Sequence, residues 1–276
     1  FKSTDELHRY GIRTKEIGLN WAKADSRFDL SKEINEPNKV GYVVEIDPLN
    51  PNSTPKKHTA LGRFKHENAE LVISKDGKII VYMGDDERGE YLYKYVSNES
   101  MNEVKDKSTL LSNGNLYVAK FNDNFTGEWL LLDTQTTGLS SKAEVCIFTR
   151  LAASKVGATT MDRPEWIASN PKKNEVCCCL TNNKNRGIKT NKGGDKVDVD
   201  KVNPRKNNKY GQIVRWKPRD NNHSSVYFEW DLFVVAGNPN VHDDNNRGSK
   251  NIDKENMFNS PDGLKFDKYG RLWIQT

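Results

Sequence analysis

The chain has 276 residues, 35% of them hydrophobic and 29% charged, and a lysine-rich composition gives it a net charge of +5. No run of about 18 apolar residues occurs, which excludes a membrane-spanning helix. The basic excess is small for this length and comes with no nucleic-acid motif, so no nucleic-acid partner is expected.

Residues 1–40 are polar apart from an aromatic cluster at Trp21 and Phe28. Residues 41–47 alternate in polarity as a strand does and stop at Pro48. A turn-rich stretch at 50–55 leads to a second strand near 58–64. Next comes a hairpin in which Leu71-Val72-Ile73 turns at Lys75-Asp76-Gly77 into Ile79-Ile80-Val81-Tyr82. Strands at 91–96 and 115–121 follow, and Gly127-Glu128-Trp129-Leu130 closes that group. Val145, Phe148, Leu151, Ala152 and Val156 then recur at helical spacing behind Ser140-Ser141, with Gly157 as the stop, which predicts a single helix. Strands return at 167–168 and 176–180. Residues 182–208, rich in Lys, Asn and Gly without periodicity, read as a solvated loop insertion. Strands at 210–216 and 226–235, a polar loop around His242-Asp243-Asp244, and a last strand pair at 264–266 and 272–274 complete the chain.

One layout occurs three times. His66-Glu67, Pro164-Glu165 and Pro261-Asp262 each lead into an apolar strand, a turn and a second apolar strand. The three acids are spaced almost evenly along the chain. Counting strands gives two complete four-stranded sets, at 66–131 and 163–237, with half-sets at 41–64 and 260–276. Repeated four-stranded antiparallel units predict an all-β fold of the β-propeller type, an incomplete set of about three blades with one inserted helix. Such a set cannot close a ring. The chain therefore reads as a single segment, 1–276, of a domain that continues beyond both ends. Its start at Phe1-Lys2-Ser3, without an initiator methionine or signal peptide, and its stop in Leu272-Trp273-Ile274 agree with that reading.

In a propeller the starts of the innermost strands meet at one mouth of the channel. Glu67, Glu165 and Asp262 would converge there, and carboxylates at close range repel unless a cation neutralises them. All-oxygen donors suit a hard cation such as calcium, or ferric iron if other ligands join. Asp85-Asp86-Glu87 is a second acid cluster; it either holds a further cation or is a solvated turn paired with Arg88. Arg163 either grips an anion held by the metal, since guanidinium matches phosphate oxygens bidentately, or pairs with Asp162. The four cysteines, Cys146 and Cys177-Cys178-Cys179, lack any zinc spacing and read as small apolar residues. No Gly-x-Ser-x-Gly, HExxH or phosphate-loop motif is present.

Several stretches resemble the PhoX-type alkaline phosphatases: residues 59–67, Gly84-Asp85-Asp86-Glu87-Arg88, Met161-Asp162-Arg163-Pro164-Glu165-Trp166, Asn203-Pro204-Arg205, Trp230-Asp231-Leu232-Phe233 and Ser260-Pro261-Asp262-Gly263-Leu264. They run through nearly the whole chain in the family's order. The resemblance implies a six-bladed β-propeller and a cofactor of Fe3+ and Ca2+ that hydrolyses small-molecule phosphate esters in the periplasm or outside the cell. It carries Glu67, Glu165 and Asp262 over as metal ligands, with Asp85, Asp86 and Glu87 as further candidates, and Arg163 as the grip on substrate phosphate. The family's iron-binding cysteine belongs to an N-terminal motif upstream of the region matched, and none of the four cysteines here corresponds to it. A non-catalytic propeller whose acids hold structural calcium is the alternative, and a calcium-dependent lactonase-like propeller is a third.

Overall fold

The computed structural model describes residues 4–15 and 18–276. The chain start at Phe1-Lys2-Ser3, used above to infer a longer polypeptide, lies outside the described residues. Thirteen strands are seen among the described residues: β1 (Val43–Glu45), β2 (Lys56–His58), β3 (His66–Ile73), β4 (Lys78–Asp85), β5 (Leu92–Ser100), β6 (Gly114–Phe121), β7 (Thr126–Leu131), β8 (Pro164–Ser169), β9 (Val176–Leu180), β10 (Gln212–Pro218), β11 (Tyr227–Val235), β12 (Leu264–Phe266) and β13 (Leu272–Ile274). β1 pairs with β2 and β12 with β13, each as a separate antiparallel hairpin. The other nine form one sheet in the order β3-β4-β5-β6-β7-β11-β10-β9-β8.

That sheet consists of two antiparallel runs, β3 to β6 and β8 to β11, each led by one of the predicted acid-bearing strands. β7 joins their outer strands, pairing with β6 along one side and with β11 at Tyr227↔Glu128 on the other. At the opposite end the leading strands lie side by side. The Asn68 amide donates to the Ile167 carbonyl at 2.8 Å and accepts from the Ile167 N–H at 3.1 Å. Glu70 accepts from the Ser169 N–H at 2.8 Å. The result is a nearly closed all-β sheet.

Apolar side chains fill the space it encloses. Tyr82, Trp129 and Trp216 meet there, with Tyr82 ring centroids 5.6 and 5.3 Å from the two tryptophans. Backbones also approach closely: a Cβ on Gly84 would lie 2.7 Å from the Pro164 carbonyl oxygen, so β4 and β8 can touch only with glycine there. Strand alternation separates the cysteines as expected, Cys178 packing into the central core while Cys177 and Cys179 face the cluster under β12. All four are free and buried.

Three expectations need correction, the first being the strand near 58–64: β2 ends at His58 and a 3-10 turn follows at Thr59–Leu61. The predicted single helix is two, α4 (Lys142–Ile147) and α5 (Thr149–Lys155), with two short helices near the chain start, α1 (Asp5–Arg9) and α2 (Trp21–Ala24), and a third, α3 (Thr134–Thr137), before them. Ser141 caps α4 through the Glu144 N–H at 3.2 Å, as the sequence suggests. The break at Phe148 (φ −107°, ψ 45°) has a definite cause in Arg63. Its N–H takes the Cys146 carbonyl at 2.9 Å and its Nε–H takes the Ile147 carbonyl at 2.8 Å, two acceptors that a continuous helix would need. The third correction concerns residues 182–208. They form no strand or helix, yet Asn183, Arg186, Asn203, Arg205 and Asn208 are buried, so the segment is packed into the protein instead of standing in solvent.

Candidate metal centre

Both leading strands carry their acid in a β-bulge. In β3 the pairing with β4 slips between His66 and Ala69, and in β8 the pairing with β9 slips between Pro164 and Ile167. Glu67 and Glu165 sit in those slips, where an extra residue re-aims the side chain. The backbone before the acid is also unusual in two of the three copies. Arg163 has φ 56° and Ser260 φ 49°, each directly before a proline. Left-handed conformations are rare for residues with a side chain and cost about 1–3 kcal/mol.

The outcome is a convergence of carboxylates. Glu67, Asp86 and Glu165 each offer an oxygen, and these lie within 4.8 Å of one another. Asp262 is exposed, on the segment whose carbonyl accepts from the Trp166 N–H at 3.4 Å. Burial and then the charges of Asp86 and Asp262 raise the Glu67 carboxyl above its ordinary value. The same causes push Glu165 well above the usual carboxylate range. Arg163 is the counter-ion in contact: its Nε and Nη2 grip Asp86 at 2.8 and 3.1 Å, and Nη2 also donates to Glu165 at 2.9 Å. Among the described residues, no partner takes its Nη1.

These residues suit a hard cation. The donors are all carboxylate oxygens, they crowd within one coordination sphere's span, and one guanidinium cannot balance them, so protonation of Glu67 and Glu165 is favoured until a cation replaces the proton. No cysteine thiol is presented among them: burial holds the thiols of Cys177, Cys178 and Cys179 protonated, well above the ordinary value.

Not every predicted acid joins this group. Asp85 points the other way and is gripped by Arg150, with Nε at 2.7 Å and Nη2 at 2.6 Å, both residues buried. Glu87 accepts from Lys65 and Lys192, each at 2.9 Å, which pull it down to about 2 against the effect of burial. Asp162 is not the partner of Arg163. Its carboxylate is held by Arg186 at 2.7 Å and Asn208 at 2.9 Å. Arg150 and Arg186 were not singled out from the sequence. The one signal pointing to them was that Asp85 and Asp162, each beside a site residue, needed counter-ions if buried.

The family model of the alkaline phosphatase PhoX matches residues 1–276. Among solved structures, that of Pseudomonas fluorescens PhoX in complex with vanadate, a transition state analogue, superposes with a TM-score of 0.92 at 49% sequence identity. The match covers 99% of this chain and 49% of that one, so the chain spans about half the length of that protein. A comparison with curated proteins finds no match.

Proposed function

Because the chain belongs to the PhoX alkaline phosphatase family, we propose that it carries part of the active centre of a metal-dependent phosphate-ester hydrolase. The observation that supports this most directly is the cluster of Glu67, Asp86 and Glu165 with Arg163 bonded to it along one edge. Similarity to a protein solved with vanadate, a phosphoryl-transfer mimic, supports the same reading.

In this proposal Glu67, Asp86, Glu165 and Asp262 hold Ca2+, and Fe3+, which the family resemblance implies, draws its cysteine from outside these residues. When bound, the metals supply positive charge that polarises the phosphate and offsets the charge gathering on it. The chain's own residues do the positioning. The bulges in β3 and β8 fix the acids on a rigid sheet, and Asp86 and Glu165 hold the Arg163 guanidinium in one plane. Its Nη1, which no carboxylate takes, then donates to phosphate oxygen, an interaction that strengthens as charge gathers there in the transition state. Asp85 and Glu87 act as neighbours: Asp85 belongs to the buried pair with Arg150 behind Asp86, and Glu87 draws Lys65 and Lys192 to the rim.

The two four-stranded runs are read as two blades of a six-bladed β-propeller, and the hairpins β1–β2 and β12–β13 as parts of adjoining blades. The chain would then be one segment of a domain that continues beyond it, acting on small-molecule phosphate esters in the periplasm or outside the cell.

The test is elemental analysis of the metal-loaded whole protein, with phosphate-ester turnover before and after chelation, on wild type and Glu165→Ala. Calcium together with iron, turnover lost on chelation, and Glu165→Ala depleted of metal and inactive are expected. Near-wild-type turnover and full metal content in Glu165→Ala would overturn the assignment.

A further inference from the structure

The packed segment 182–208 has no strand or helix, yet Arg186 within it is buried completely. Its guanidinium is used on nearly every side. Nε donates to Asp162 Oδ1 at 2.7 Å, Nη2 to the Thr160 carbonyl at 2.8 Å, and Nη1 to the Asp198 carbonyl at 2.9 Å and to Thr160 Oγ1 at 3.2 Å. Asn208 Nδ2 donates to the second oxygen of Asp162 at 2.9 Å. With both oxygens taken from different directions, the Asp162 side chain is fixed in rotation as well as in place. The backbone around it is tied too: Met161 exchanges hydrogen bonds with Gly89 and Glu90 at 2.9 and 2.8 Å, and the Arg163 carbonyl accepts from the Thr181 N–H at 3.2 Å.

The next residue is Arg163, in the left-handed region and directly before Pro164. Strain of that kind persists only where the surroundings over-determine it. A buried ion pair is a poor source of net stability, because the desolvation of both charges offsets most of their attraction. What Arg186 and Asp162 supply is geometry.

We propose that Arg186 is a positioning residue: by fixing Asp162 it holds the adjoining Arg163 in its left-handed turn, with the guanidinium set on Asp86 and Glu165 and its Nη1 toward substrate phosphate. The segment 182–208 is then a brace for the anion grip. The inference rests on the phosphatase reading and adds a residue to it.

The experiment is a double-mutant cycle on the metal-loaded whole protein, read per folded molecule by calorimetric binding of inorganic phosphate and by KM and kcat for a phosphate ester. Arg163→Ala is expected to weaken phosphate binding and raise KM by about tenfold, equivalent to ~1.4 kcal/mol. Arg186→Met should do the same with bound metal unchanged, and Arg186→Met added to Arg163→Ala should cost nothing further, the non-additivity of residues acting through one another. Wild-type phosphate affinity in Arg186→Met, or losses that simply add, would overturn the proposal. If Arg186→Met does not fold, Asn208→Ala removes one bond to Asp162 and keeps the ion pair. It should weaken phosphate binding about threefold, ~0.7 kcal/mol by the same conversion, in the wild-type background and not at all beside Arg163→Ala. Any other pattern overturns it. Should Arg163→Ala itself leave phosphate binding intact, the phosphate grip falls and this inference with it, a failure distinct from that of Arg186 alone.

Discussion

Asp85 and Asp86 are neighbours in sequence and belong to two different charge clusters. Asp85 faces inward, where Arg9 and Arg150 meet Asp85, Glu90 and Asp195. Arg150 grips Asp85, and Arg9 reaches Glu90 at 3.1 Å and Asp195 at 2.9 Å. Burial raises the Glu90 carboxyl while Arg150 and Arg9 hold it down. Asp86 faces the other way, into a group where Glu67, Glu165 and Asp262 share a single guanidinium. The first cluster nearly balances its charge and is mostly buried. The second is left strongly negative and partly open. Charge balance, more than the number of acids, separates a brace from a binding site.

The sharpest way to break this comparison is to unbalance the closed cluster. Arg150→Met leaves Asp85 and Glu90 buried without their shared cation and should cost about 3–5 kcal/mol in denaturant unfolding, the usual penalty for stranding a buried charge. Metal content per folded molecule should stay at the wild-type level. Depleted metal with unchanged stability would show that the two clusters are one.

Lys94 gives a third kind of buried charge, a cation with no carboxylate in contact. Its ammonium donates to the Ser225 and His223 carbonyls at 2.7 and 3.3 Å and lies 5.0 Å from the centre of the Trp129 ring. Burial pulls it from 10.5 down to about 7. Between those two values the unfolded chain keeps a proton that the folded protein has released. Stability contributed by this residue therefore rises with pH across that window and is lost as pH falls toward 7. Unfolding free energies at pH 7.5 and 10 should show a steeper upward slope in the wild type than in Lys94→Met; equal slopes would refute the assignment.

The smallest effect is expected at the rim. In Glu87→Gln the pairs with Lys65 and Lys192 go, but the lysines are 56% and 37% exposed, so unfolding should change by under ~1 kcal/mol. A loss several times larger would move Glu87 from the rim into the braced interior.

The sequence carried the convergence of Glu67 and Glu165 because repetition revealed it: the same acid stands before the same strand pair, and the bulges fall at corresponding places. It also carried most strand positions, which follow from alternating polarity, though not the strand expected near 58–64. It did not carry the division between Asp85 and Asp86, because the partner that decides it, Arg150, is 65 residues from Asp85 in the chain. The break between α4 and α5 was hidden for the same reason, since Arg63 supplies it from a distant loop. Residues 182–208 looked solvated because hydropathy registers polarity and not pairing; Arg186 and Asn208 are buried because Asp162 and neighbouring backbone and side-chain groups pair with them.

The double pairing of β7 also sets an order of assembly. β3 to β7 are consecutive and can zip locally, whereas β7 finds β11 only after about a hundred further residues have been made. At 5–20 residues per second this takes roughly 5–20 s, during which the outer side of β7 is an unpaired strand edge. Glu67 and Asp86 are already present in that interval, but Glu165 reaches them only when the second run docks. The group of carboxylates is thus completed late in the birth of the molecule, and the period of greatest danger from edge-to-edge aggregation precedes it.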